Sequence, residues 1–359
     1  MDRWTGRELT VGEDSYLDRI ASAVGKRLNF PEKTTVHGFN GIVEPGLFRE
    51  ISEMEGEQWG TISAIDGGSC TILRTPCEVF MLNRAYCNSF DGMNKLSLCE
   101  RVTFISRTST VTEGSNVFFQ TEIYPVQGEC DVEIPKVDSA DEEFRVGKLR
   151  GDLERASSLA RRFCEWCFVR SALRCGADFI LMDGALQTGF PKEANLANDI
   201  YQETSSSGII LAGLSKTSTI YTDDGYPVAG LLDVMAEKRN LKKWLIKIGT
   251  SDEWTHNAIV NFIKLHDEAD RAYRLDVYKE TAESDLARLV GALQANSKYF
   301  AYPGYPYALI DAHTYAKVGW EESMHIRDLV LDRLRPEEAK RLEQTERALT
   351  GHEILDQLR

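Results

Sequence analysis

Ile62-Ser63-Ala64-Ile65-Asp66-Gly67-Gly68-Ser69 and Phe179-Ile180-Leu181-Met182-Asp183-Gly184-Ala185-Leu186 follow one pattern. In each, an apolar run reads as a strand that ends on a carboxylate, and glycine follows at once. The second run is continuously apolar, as expected of a central strand covered on both faces. Ligands of open α/β sheets gather at the carboxyl edge of the strands. Glycine has no Cβ, so it turns the chain sharply there and leaves the backbone beside each Asp open. One Asp-Gly is an ordinary turn dipeptide. Two of them, on strands expected to be neighbours, place like charges side by side. Such a pair repels unless a cation sits between the two carboxylates, and hard divalent ions such as Mg²⁺ and Mn²⁺ take oxygen ligands.

Outward from these runs, β-branched and aromatic residues predict strands over 78–90, 100–110 and 116–124, with Asp91-Gly92 as a turn. Residues 125–141, rich in Pro and acids, read as a loop. A long helix is expected over 141–175, with Leu149, Leu153, Ala156, Leu159, Ala160 and Phe163 as its buried stripe and Gly176 as its stop. A helix over 191–205 and a buried strand over 207–214 follow. Further strands are expected over 244–248 and 260–265, and helices over 284–297 and 310–318. Meandering strands followed by strand–helix alternation predict an α/β fold: a ribonuclease H-like mixed sheet flanked by helices. Residues 1–55 read as a helical N-terminal extension, with Leu17, Ile20, Ala21, Val24 and Leu28 at helical spacing. Residues 56–325 form the core domain and 326–359 a helical C-terminal tail.

The chain has 359 residues, 42% hydrophobic and 27% charged, which suits a globular protein and excludes a collagen-like or wholly disordered one. No run approaches the roughly 18 apolar residues of a membrane span. The charged start MDRWTGRELT lacks the apolar centre of a secretion signal, so a cytoplasmic location is expected. The net charge of −14 argues against an inert DNA-coating protein, which would be basic. It allows an enzyme whose positive charge is collected in one groove. The 8 Cys are too sparse for a disulfide scaffold. Cys164-Glu165-Trp166-Cys167 is a CxxC without a second one to complete a zinc site, and reads as small residues on a helix.

Other side chains extend the chemistry. Glu154 stands early in the long helix and is a candidate third carboxylate, with Glu122 as its competitor. His313 follows a Tyr/Pro-rich loop, and a neutral imidazole suits Mn²⁺ or acts as a base. Lys216, just past the strand over 207–214, is placed to hold a phosphate or steady an attacking water. Basic residues for a nucleic-acid backbone are Arg145, Lys148, Arg150, Arg155, Arg161 and Arg162, and the cluster Lys238, Arg239, Lys242 and Lys243. Tyr302, Tyr305 and Tyr307 are candidates for stacking on bases.

Asp66-Gly67-Gly68-Ser69, Leu181-Met182-Asp183-Gly184-Ala185-Leu186, Gly213-Leu214-Ser215-Lys216-Thr217-Ser218 and Gly304-Tyr305-Pro306-Tyr307-Ala308-Leu309-Ile310-Asp311-Ala312-His313 occur in this order. Together they resemble the NurA nuclease family, over about residues 60–318. The resemblance implies a ribonuclease H-like DNA nuclease using Mn²⁺ or Mg²⁺, with 5′–3′ exonuclease and single-strand endonuclease activity. It also implies a homodimer that works with a HerA-type hexameric ATPase in DNA end resection and recombinational repair. By motif, Asp66, Asp183 and His313 would be metal ligands, with Glu154 matching the family's helical glutamate. In a two-metal mechanism, Asp66 would bridge the ions. The family often has Asp-Gly-Ser where this chain has Asp66-Gly67-Gly68 and Asp183-Gly184-Ala185. The alternative is an inactive ribonuclease H-like scaffold that binds the ATPase or DNA. An actin-like kinase would need a second similar half, and neither that nor a Gly-x-x-x-x-Gly-Lys-Ser/Thr phosphate loop is present.

Overall fold

A computed structural model describes residues 14–39, 41–52, 59–96 and 100–347. Cys99, residues 1–13 and the last twelve residues of the expected tail helix lie outside the described residues. The strands are β1 (Thr34–Thr35), β2 (Ile42–Val43), β3 (Arg49–Glu50), β4 (Thr61–Arg74), β5 (Glu78–Asp91), β6 (Asn94–Lys95), β7 (Glu100–Glu113), β8 (Asn116–Gln127), β9 (Val137–Asp138), β10 (Phe179–Asp183), β11 (Ile210–Ser215), β12 (Trp244–Glu253), β13 (His256–Lys264) and β14 (Tyr273–Tyr278). The helices are α1 (Asp14–Arg27), α2 (Leu153–Ser157), α3 (Leu159–Arg174), α4 (Glu193–Ser206), α5 (Val228–Lys238), α6 (Glu283–Asn296), α7 (Tyr307–Ala316), α8 (Trp320–Leu331) and α9 (Pro336–Arg347).

One mixed sheet dominates, in the order β3-β12-β13-β14-β11-β10-β4-β5-β7-β8-β9, with β6 on β5. β4, β10 and β11 are parallel neighbours. The segment β7-β5-β4-β10-β11, antiparallel then parallel, is the ribonuclease H-like part. The two-residue period of a strand assigns its side chains to the two faces. Ile62, Ala64, Phe179 and Leu181 pack beneath α6 and α7, with Leu289, Leu293, Leu309 and Ala312. Ile65, Ile180 and Met182 pack beneath α3 and α4, with Ala160, Cys164, Ala197 and Tyr201. Strands covered on both faces must be apolar throughout, which is why β10 and β11 show no alternation.

Three sequence expectations are corrected. β4 does not turn at Gly67-Gly68 but runs on to Arg74. The two glycines serve close packing instead: a Cβ on Gly68 would lie 2.3 Å from the Ala316 carbonyl oxygen of α7, and one on Gly67 would lie 2.3 Å from Glu165 Oε1 of α3. Gly184, at φ +113°, does end β10. The expected long helix is two: α2 begins only at Leu153, where the Asp152 carboxylate accepts from the Arg155 amide at 2.7 Å and caps it, and α3 follows after Ser158. Residues 141–152 are irregular, and Leu149 is exposed rather than part of the stripe. Beyond α1, the N-terminal segment is not helical. Pro31, Pro45 and Gly46 oppose a helix, while Val36, Val43 and Phe48 are buried against α5 and β12, and β3 joins the edge of the main sheet. At the opposite end, Val318 and Ile326 cover Ile72 and Leu82 of β4 and β5.

Candidate metal centre

Met182 of β10 lies level with Ile65 of β4, so Asp183 at the end of β10 and Asp66 within β4 stand side by side on adjacent parallel strands. β10 stops there while β4 continues, and this opens a notch at the carboxyl edge of β10. α7 crosses the notch because Gly68 lets its backbone come close, and it delivers His313. One donor atom each from Asp66, Asp183 and His313 lies within 4.8 Å of the others. Nδ1 of His313 is 2.8 Å from Asp66 Oδ2 and 4.0 Å from Asp183 Oδ2. Lys216, from the end of β11, donates through Nζ to Asp183 Oδ2 at 2.6 Å. The Tyr305 hydroxyl donates to Asp183 Oδ1 at 3.3 Å, and the Gly67 amide donates to Asp66 Oδ1 at 2.7 Å.

The electrostatics are those of a buried cluster of acids. Asp66 is 8% exposed. Burial, then the negative fields of Asp183 and Glu165, push its carboxyl up to about 6, against the opposing pull of His313. Burial and the neighbouring Asp183 carboxylate push the Tyr305 hydroxyl well above its usual range, so it remains a donor. Two carboxylates and an imidazole at a strand edge form an O,O,N donor set that fits Mn²⁺ or Mg²⁺. The Lys216 ammonium and His313 already lie against the same carboxylates.

Sequence reasoning placed Asp66, Asp183, His313 and Lys216 together, and the structure brings them together. It does not bring Glu154 there. Glu154 is exposed and pairs at 2.9 Å with Arg74, eight residues further along β4 than Asp66. Glu122 faces Arg107 and Tyr124 on β8, three strands away. The carboxylate that does lie near Asp66 is Glu165, inside the CxxC of α3. It is buried against Gly67, salt-bridged to Arg161 and Arg162, and lies close enough to raise Asp66. A signal for it was available: Glu165 is a charge in the run Phe163-Cys164-Glu165-Trp166, and a charge on a buried stripe must have partners. Arg162 is therefore held between Glu165 and Glu193 and is not free for a phosphate.

Of the aromatic candidates, Tyr305 is buried and cannot stack on a base, Tyr307 is half-buried against Phe90 and Tyr299, and Tyr302 is exposed. Arg150 stands on a loop, not a helix, and donates to Ser139 Oγ at 3.3 Å. The loop leaving Asp183 is pinned by buried groups. The Leu186 amide donates to Asp276, which is held by Arg274 and His256, and the Gly189 and Phe190 amides donate to Glu193. No helix among the described residues is long and apolar enough to cross a membrane.

Sheet order and site together define a ribonuclease H-like α/β protein with two acids on adjacent parallel strands and a histidine on the helix that crosses them. Residues 60–318 match the NurA domain model, and the chain belongs to the NurA family. Among solved structures, the NurA nuclease from Sulfolobus solfataricus is 17% identical, with 90% of this chain and 95% of that chain covered at a TM-score of 0.50, which shows the shared fold. The catalytic domain of human endonuclease V is 12% identical over 90% of this chain and 99% of that chain, at a TM-score of 0.35. No curated protein matches the chain in sequence.

Proposed function

We propose that this chain is a divalent-metal-dependent nuclease that hydrolyses DNA phosphodiester bonds. The observation that carries the reading is the convergence of Asp66, Asp183 and His313 within 4.8 Å at the edge of β4 and β10. Asp66, Asp183 and His313 would hold Mn²⁺ or Mg²⁺, with Glu165 as a buried, arginine-paired carboxylate behind Asp66. A bound divalent ion supplies hydroxide at neutral pH and positive charge at the leaving oxygen. Asp66 and Asp183 fix its place because both strands are locked in the sheet core. Tyr305 orients Asp183 through its hydroxyl and fills the wall behind it, keeping water from that side. Lys216 contacts Asp183 now and has the reach to turn its ammonium to a phosphate oxygen. Arg150 is a candidate for the DNA backbone.

Family membership supports the finer reading: 5′–3′ exonuclease and single-strand endonuclease activity, a HerA-type hexameric ATPase as partner, and a role in DNA end resection and recombinational repair. It also supports residues 56–325 as the nuclease unit. The exposed apolar stripe Leu17, Ile20, Val24 and Leu28 of α1 and its C-terminal end supports a homodimer. The test is cleavage of single-stranded and duplex DNA by the pure chain with Mn²⁺, alone and with its ATPase, beside Asp183→Asn. Cleavage lost in the variant supports the reading. No cleavage by the unaltered chain under either condition refutes it.

A further inference from the structure

Arg145-Val146-Gly147-Lys148-Leu149-Arg150 carries three cations and two large aliphatic side chains in six residues. It forms a minimal hairpin. The Val146 amide donates to the Leu149 carbonyl at 3.1 Å, the Leu149 amide returns the bond at 3.0 Å, and Gly147 supplies the left-handed turn at φ +60°. Both bonds close the turn. Its base is tied to the body of the protein: the Gly151 amide donates to the Ser139 carbonyl at 2.7 Å, and the buried Phe144 ring lies under the Arg155 guanidinium. Arg155 also donates to the carbonyls of Glu143, Phe144 and Gly189. Gly189 is six residues beyond Asp183, so the hairpin base is tied within about 20 Å of the metal cluster.

At the tip, Val146 is 63% and Leu149 73% exposed. Burial would stabilise each by roughly 1.5–3 kcal/mol, and nothing in the chain covers them among the described residues. Arg145 pairs with Glu142 at 3.2 Å, while Lys148 and Arg150 have no ion-pair partner among the described residues, in a chain of net charge −14. Unneutralised cations around an apolar tip match a polyanion that also offers apolar faces, which is nucleic acid with open base pairs.

We propose that the hairpin at residues 145–150 seats the melted end of a DNA duplex, with its cations on the backbone and Val146 and Leu149 against the last base pair. This rests on the nuclease reading and names its substrate as an opened duplex end. The alternative occupant, an acidic protein surface such as a second copy of this chain, is decided by the same experiment.

The full chain, V146S/L149S and K148A are compared with Mn²⁺ on a blunt duplex of about two helical turns and on a short single strand. Affinity for the same duplex is measured without metal by fluorescence polarisation across a salt series. V146S/L149S is expected to slow duplex-end cleavage about tenfold while leaving short-strand cleavage within about twofold. K148A is expected to weaken duplex binding and lower the slope of log affinity against log salt by about one. Equal effects on both substrates, no effect on either, or an altered oligomeric state with unchanged DNA affinity overturns the proposal. If the unaltered chain cuts neither substrate, the nuclease reading fails on its own. Polarisation still decides the hairpin, because affinity lost in the variants upholds it and unchanged affinity overturns it.

Discussion

Replacing Asp66 by Asn should stabilise the metal-free protein at neutral pH. Burial and the fields of Asp183 and Glu165 move the Asp66 carboxyl from 3.8 up to about 6. Holding it ionised at pH 7 and above therefore costs about 3 kcal/mol. The sign follows from linkage. Stability from the protonated form is fully present below about pH 4 and is lost as pH rises through about 6. Asn keeps the shape, an acceptor for the Gly67 amide and a partner for His313, and it carries no charge. For a chain of this size, the expected gain is about 5 °C in Tm at pH 7.5 in EDTA, with none at pH 4. Saturating Mn²⁺ should reverse the ranking, because at about 100 times Kd an ion stabilises the unaltered protein by about 2.7 kcal/mol and the variant has lost a ligand. Differential scanning fluorimetry from pH 4 to 8, with EDTA and with Mn²⁺, measures both effects. An Asn variant that is less stable than the parent in EDTA at pH 7.5 would refute the electrostatic account of the site.

Glu165→Gln should weaken Mn²⁺ binding or cleavage by about 10–100-fold, while Glu154→Gln leaves both unchanged; calorimetric titration of the two variants separates the carboxylates. Gly68→Ala should cost about 1–3 kcal/mol and weaken Mn²⁺ binding, because its Cβ would meet the Ala316 carbonyl and push α7, with His313, off Asp66; urea unfolding and Mn²⁺ titration test the two parts. Asp276→Ala leaves Arg274 buried without its carboxylate and frees the Leu186 amide, so a loss of about 3–5 kcal/mol is expected in urea unfolding. EDTA should abolish cleavage and added Mn²⁺ should restore it, as read on a gel.

The residues legible from sequence share one trait: local pattern alone fixed their place. An apolar run reaching Asp-Gly marks a strand, so Asp66 and Asp183 could be placed on strands before any tertiary contact was known, although only Asp183 ends its strand, and Lys216 followed in the same way. The pattern misled where glycine has two uses. Gly184 turns the chain, but Gly67 and Gly68 admit neighbouring groups to a strand that continues. Among the acids the sequence offers Glu154 and Glu122 and passes over Glu165, which stands inside an apolar helical run that reads as packing. Glu154 belongs to α2 and Glu165 to α3, and only the second is packed against Gly67 of β4. β14 and α5 were not read at all. The Tyr305 ring is buried because its loop folds under α7, a long-range contact that no aromatic spacing encodes.

Anomalous diffraction at the manganese edge, from crystals soaked in Mn²⁺, tests the central claim most directly. A peak about 2.0–2.2 Å from oxygens of Asp66 and Asp183 and from a ring nitrogen of His313 is the expected result. A well-ordered cluster with no peak there, or manganese bound only elsewhere, would contradict the account.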